Sequence, residues 1–154
     1  MIEKFVEWCT QISVLTQNSQ NYKDIKRTMW NKLIEEGEKF SKNNSHLDVY
    51  CKPLVFGERH ASQTFASFEN ISNTNSSVGE IFTALCRGII RNLKETITKD
   101  LLFNKLKCNR IIATGSAIIR NSVLKAQLES EFDSVHIVYK STGDAAIGLF
   151  LRLK

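Results

Sequence analysis

R-I-I-A-T-G-S-A-I-I-R-N, residues 110–121, is the stretch whose reading decides the fold. Arg110, Ile111, Ile112, Ala113 and Thr114 read as a short buried strand, because β-branched residues sit between polar flanks. The strand breaks at Gly115-Ser116-Ala117, and a helical pattern starts near Asn121, with Val123, Leu124 and Leu128 on one side. A strand, a small-residue turn and a helix in this order can present backbone N–H groups to a nucleotide. Any side chain larger than a methyl or hydroxymethyl would hold such a ligand off the backbone. Many junctions of this kind are plain connections, so the motif needs support from the rest of the chain.

Working outward, residues 135–139 read as a second strand, and a last helix begins at about Thr142. Its Ala145, Ala146 and Gly148 form a small-residue face that allows close approach, and Asp144 sits where an N-cap belongs. Upstream, residues 78–97 give the strongest helical pattern, with Val78, Ile81, Phe82, Leu85, Ile89, Leu93 and Ile97 at steps of three and four. Ser77 and Glu80 match a capping box at its start, and Arg87, Arg91 and Lys94 lie off the seam. Residues 47–56 alternate, Leu47, Val49 and Cys51 against Asp48, Tyr50 and Lys52, as in a half-buried strand that Pro53 confines to an edge or kink. Residues 64–71 alternate less cleanly. Two helices precede these strands, one over residues 2–16 with Ile2, Phe5, Val6, Cys9, Ile12 and Leu15 on one side. The other covers residues 22–40, with Ile25, Met29, Leu33 and Phe40 inward, Gly37 weakening its last turn and residues 39–46 leaving as a polar loop.

The 154 residues suffice for one domain, residues 1–154, with a sizeable core. The formal charge of +5 favours anionic partners only mildly, because the basic residues, Lys23, Lys26, Arg27, Lys125 and Lys140 among them, are dispersed. That dispersal, with no visible cluster of strand-borne carboxylates, argues against a nuclease or nucleic-acid partner. Cys9, Cys51, Cys86 and Cys108 form no C-x-x-C pair, so no zinc site is expected and reduced buried thiols are. No signal peptide or bilayer-length apolar run occurs, and a membrane partner is not expected. The expected compartment is cytoplasmic, so the sequons at Asn43, Asn70 and Asn75 carry no weight. The run Glu58-Arg59-His60 reads as a turn with an ion pair before it reads as acid–base chemistry.

Four blocks then align in order and spacing with one known family. G-S-A-I-I-R-N-S-V-L-K-A-Q-L (115–128) and G-D-A-A-I-G (143–148) resemble the adenosine-binding region of the FGGY carbohydrate kinases. F-G-E-R-H (56–60) and A-L-C-R-G-I-I-R-N-L (84–93) are similar to the branch of that family that phosphorylates the seven-carbon ketose sedoheptulose to its 7-phosphate. The resemblance covers nearly the whole chain. It implies a ribonuclease-H-like (actin-like ATPase) domain of α/β class, a mixed sheet flanked by helices, equivalent to the C-terminal part of the second kinase domain. Gly115, Ser116 and Ala117 would form the adenosine loop, with Asn121 approaching the adenine. Asp144, Ala145 and Gly148 would pack behind it, and Gly57, Glu58 and Arg59 would occupy a motif in the wall of the interdomain cleft. Ser116 stands where many relatives have a second glycine.

The resemblance further implies ATP with Mg²⁺ as phosphoryl donor, ADP as product and a ketose as acceptor in the complete enzyme. The catalytic-base aspartate and the phosphate loops of such kinases precede the matched region. No catalytic or metal-binding residue is therefore assigned in this chain, and an N-terminal kinase lobe is the expected missing partner. The chain alone is expected to be inactive. The alternative is a non-catalytic interaction or regulatory module that retains the kinase fold.

Overall fold

The computed structural model describes residues 2–16, 21–43, 46–54, 65–96 and 110–141. In chain order these form helix α1 (Ile2–Thr16), helix α2 (Tyr22–Asn43), strands β1 (Tyr50–Lys52) and β2 (Ser67–Glu69), helix α3 (Val78–Thr96), strand β3 (Arg110–Thr114), helices α4 (Ser116–Arg120) and α5 (Ser122–Glu131), and strand β4 (His136–Lys140). The class is α/β, as the sequence predicts. The described strands make two separate two-stranded ladders, not one mixed sheet. β1 and β2 run antiparallel with Cys51 opposite Phe68, and β3 and β4 run parallel with Ile111 opposite Ile137. A parallel pair needs a crossover, and α4 with α5 supplies it.

α3 is the centre of the core. Phe82, Ala84, Leu85 and Cys86 are 0% exposed, and Gly79, Glu80, Thr83, Gly88 and Ile90 are buried with them. Neighbours therefore cover it on most of its circumference, as expected of a helix packed at once against α2, α5 and β1. The expected seam is corrected at its ends, where Val78 and Leu93 are exposed. The burial follows small residues that a count of bulky ones overlooks. A methyl group at Gly88 would lie 2.2 Å from the carbonyl oxygen of Cys51, and one at Gly79 would lie 2.3 Å from that of Glu36. These glycines let α3 touch neighbouring backbone directly.

The N-terminus of α3 realises half of the capping box. Ser77 Oγ accepts the Glu80 N–H at 3.2 Å. The Glu80 carboxyl is buried instead against Asp48, and burial, with the Asp48 carboxylate nearby, pushes it above the usual carboxylate range. The off-seam cations become staples. Arg87 donates to the carbonyls of Leu47 and Val49 at 2.9 and 2.8 Å, while Arg91 and Lys94 hold Glu131 at 2.6 and 2.9 Å. The first staple fastens the approach to β1 and the second the end of α5.

α2 runs to Asn43, past the expected exit at residue 40. Lys39 pairs with Glu35 and Glu36, and Ser41 Oγ donates to the Gly37 carbonyl, so polar contacts at helical spacing carry the extra turn. Gly37 faces the core, where a methyl group would meet Val123 at 2.8 Å. In α1 the buried face is Ile2, Val6 and Thr10, whereas Ile12 of the expected stripe is exposed. The alternation around β1 is as read, with Val49 and Cys51 buried beside exposed Asp48 and Tyr50. β3 is less buried than expected: Ile111 and Ala113 turn inward, but Ile112 is 48% exposed.

Candidate functional site

The junction after β3 turns at a single residue. Gly115 has φ 102° and ψ 150°, a region only glycine enters without strain, and no atom lies within 4 Å of where its side chain would begin. Ser116 and Ala117 are not loop residues as expected. The Ile119 N–H bonds to the Gly115 carbonyl at 3.0 Å, which places both in the first turn of α4. Their side chains are exposed.

α4 ends at Asn121, where extended backbone (φ −113°, ψ 98°) separates it from α5. Asn121 is 2% exposed. Its Oδ1 accepts the Leu124 N–H at 3.0 Å, and its Nδ2 faces Cys86 Sγ at 3.8 Å. The side chain is thus an N-cap with both ends engaged. The oxygen of the amide expected to approach an adenine is therefore held at the start of α5.

A cavity of about 720 Å³ opens beside this junction. Ser116, Ala117, Arg120 and Asn121 form one side of it, and α2 forms much of the other. Ile2, Trp30, Ile34, Ile89 and Leu124 give it an apolar wall, and Lys23, Lys26, Arg27 and Asn31 give it a polar rim. The volume is in the range of small-molecule sites, and an apolar lining with a few directed polar groups is their usual chemistry. Three of the four residues expected at the adenosine site therefore border one cavity. Gly115 is not among its lining residues but sets the turn that leads into it.

The electrostatics are one-sided. Glu3 is the single carboxylate among the described residues that line the cavity, and Lys26 engages it while also approaching Glu7 at 3.6 Å. The hydrogen bond to Glu3 holds the Lys26 ammonium above its ordinary pKa. Arg27 pairs loosely with Asp24 at 3.3 Å in an exposed setting. Lys23 and Arg120 have no carboxylate partner among the described residues. Near the cavity the Cys86 thiol is no nucleophile, because burial pushes its pKa up to about 12. No cluster of three or more His, Cys, Asp or Glu side chains suited to a metal exists among the described residues.

The reading from sequence missed the α2 side. Lys23, Arg27, Trp30 and Ile34 recur at steps of four, three and four, so they share a stripe. That spacing was visible, but which neighbour the stripe faces was not. Gly57, Glu58, Arg59 and His60 lie outside the described residues, as do Cys108, Asp144, Ala145 and Gly148.

Comparison with known proteins agrees with the family resemblance. No protein-family model matches the chain. The chain is 29% identical over 153 residues to sedoheptulokinase of Mus musculus and 29% identical over 150 residues to that of Homo sapiens, covering 97% of its own length in each case. It spans 29% and 28% of the length of those relatives. Among solved structures it is similar to the xylulose kinase of Rhodospirillum rubrum, with a TM-score of 0.62 at 12% identity over 88% of this chain and 25% of that one. That likeness shows that the chain shares the fold of the matching part of that structure. The chain is similar to carbohydrate kinases over nearly its whole length, and the resemblance read from the four sequence blocks is borne out.

Proposed function

We propose that this chain is the nucleotide-binding part of an ATP-dependent carbohydrate kinase acting on a ketose, with sedoheptulose, converted to its 7-phosphate, as the substrate. The observation that carries the reading is the cavity in which Ser116 and Ala117 face the apolar wall of α2, in a chain whose relatives are sedoheptulokinases. Ser116 and Ala117 are small enough to leave room for a purine, and Gly115 permits the turn that brings them there. Trp30 and Ile34 offer the base a flat apolar surface. Asn121 positions the junction by capping α5, and no contact from its amide to the base is assigned.

ATP would supply the transferred phosphoryl group. The described residues fit the nucleotide but not a protein-held Mg²⁺, since the one carboxylate among them that lines the cavity is spent on Lys26. No described residue offers a free carboxylate beside the cavity to take a proton from a sugar hydroxyl. The 154 residues alone are therefore proposed to bind nucleotide without turnover, an N-terminal kinase lobe being the partner that completes the enzyme. The same observation favours a second reading, a binding module that keeps the kinase fold without its chemistry. We place the protein in the cytoplasm, in keeping with reduced Cys51 and Cys86; among the described residues no helix is long and apolar enough to cross a membrane.

Calorimetric titration with ATP, ADP and AMP tests the nucleotide reading. Saturable one-site binding, lost in Ala117→Phe, supports it, and absence of binding overturns it. Joining the chain to a kinase N-terminal lobe separates the enzyme from the module, since ATP-dependent phosphorylation of sedoheptulose is expected only of the enzyme.

A further inference from the structure

The cavity is apolar on one wall and cationic at its rim, and the two features call for different parts of one ligand. Lys23 and Arg120 line the cavity from different helices, one from α2 and one from α4, and neither has a carboxylate partner among the described residues. Arg27 joins them with only an exposed pairing to Asp24. Lys26, by contrast, is neutralised by Glu3 and Glu7. Three incompletely compensated cations around one opening give a positive field that an uncharged ligand would not use. Behind them the half-buried ring of Trp30 and the side chain of Ile34 offer a surface that a bare anion would not use.

We propose that this chain takes its nucleotide as an anion, with Lys23, Arg27 and Arg120 holding phosphate oxygens while Trp30 and Ile34 cover the base, so that a nucleoside lacking phosphate binds more weakly. The inference rests on the nucleotide reading above and extends it to α2, where no residue was assigned a role. Arginine suits the task because its fork can hold two phosphate oxygens at once.

A Trp8→Phe chain isolates the signal, because the sequence has 2 tryptophans and exposed Trp8 lies outside the cavity. Its Trp30 fluorescence is titrated with adenosine, AMP and inorganic tripolyphosphate. AMP is expected to bind at least about tenfold more tightly than adenosine, one such factor being about 1.4 kcal/mol. In Lys23→Ala/Arg120→Ala the gap should close with the adenosine constant unchanged. Both side chains are exposed, so that change is not a loss of fold. Raising salt should weaken AMP and leave adenosine alone. Equal constants for AMP and adenosine, or a gap that survives the double substitution, overturn the anionic rim and leave the nucleotide reading standing. Binding of tripolyphosphate without any adenine ligand overturns the nucleotide reading, and with it the role given to Trp30. Silence toward all three overturns both.

Discussion

Asn121 accepts the backbone N–H of Leu124 at 3.0 Å with a side chain that is 2% exposed. This bond fixes where α4 stops and α5 begins, and so fixes how Ser116, Ala117 and Arg120 are set in the cavity that α2 also lines. Replacing Asn121 with Ala removes the cap and leaves the Leu124 N–H buried without its partner. A loss of about 1–2 kcal/mol is expected, measured as a lower urea midpoint at unchanged slope. Asn121→Asp keeps the capping oxygen and should lose less.

Gly115 separates backbone strain from crowding. Nothing lies within 4 Å of its absent side chain, so Gly115→Ala meets no clash, yet its φ of 102° remains unfavourable for alanine. The expected cost is about 1–3 kcal/mol, entirely conformational. Thermal melts should show it, and a substitution that leaves the melting temperature unmoved would contradict the conformation described here.

Gly88 is the opposite case. Its backbone is helical, but a methyl group would sit 2.2 Å from the Cys51 carbonyl oxygen. Gly88→Ala must push α3 away from β1, and a loss of about 1–3 kcal/mol is expected. Because α3 packs against both α2 and α5, amide exchange should quicken in those helices as well as at the site of change.

Glu131 gives the fold an acid-sensitive clamp. Burial alone would raise its pKa, but the hydrogen bonds from Arg91 and Lys94 outweigh that and hold it below the usual carboxylate range. A carboxyl with a depressed folded-state pKa stabilises above its unfolded value of 4.5 and loses that contribution as pH falls through the folded value. The clamp therefore weakens only below about pH 4.5. Glu131→Gln should cost on the order of 1 kcal/mol at neutral pH, since Arg91 is partly exposed, and little in strong acid. Urea melts of both proteins across that range should converge as the pH drops.

Much of this was legible in the chain. The alternation of Val49 and Cys51 with Asp48 and Tyr50, the helix of residues 78–96 and the turn at Gly115 follow from periodicity and residue type. Three things were not. The buried face of α3 depends on Gly79 and Gly88, whose packing value lies in what they lack, so counting bulky residues placed Val78 and Leu93 inside. Ser116 and Ala117 read as loop because small residues suit a turn, yet once Gly115 had absorbed the turn they were free to begin a helix. Lys23 and Arg27 read as dispersed surface charge, and Trp30 was given no place, because spacing gives a stripe but not the element opposite it. The α4 side of the candidate site could be read from local sequence, and the α2 side exists only through tertiary packing.

The central claim is that an adenine nucleotide occupies the space between α2 and α4. The two indole N–H groups of Trp8 and Trp30 offer the most direct test in ¹H–¹⁵N spectra of the ¹⁵N-labelled chain titrated with ADP. The Trp30 indole and the amides of Ser116 and Ala117 are expected to shift together along one saturation curve while the Trp8 indole stays still. Shifts that spare Trp30 and α4, or a spectrum that ADP leaves unchanged, would contradict it.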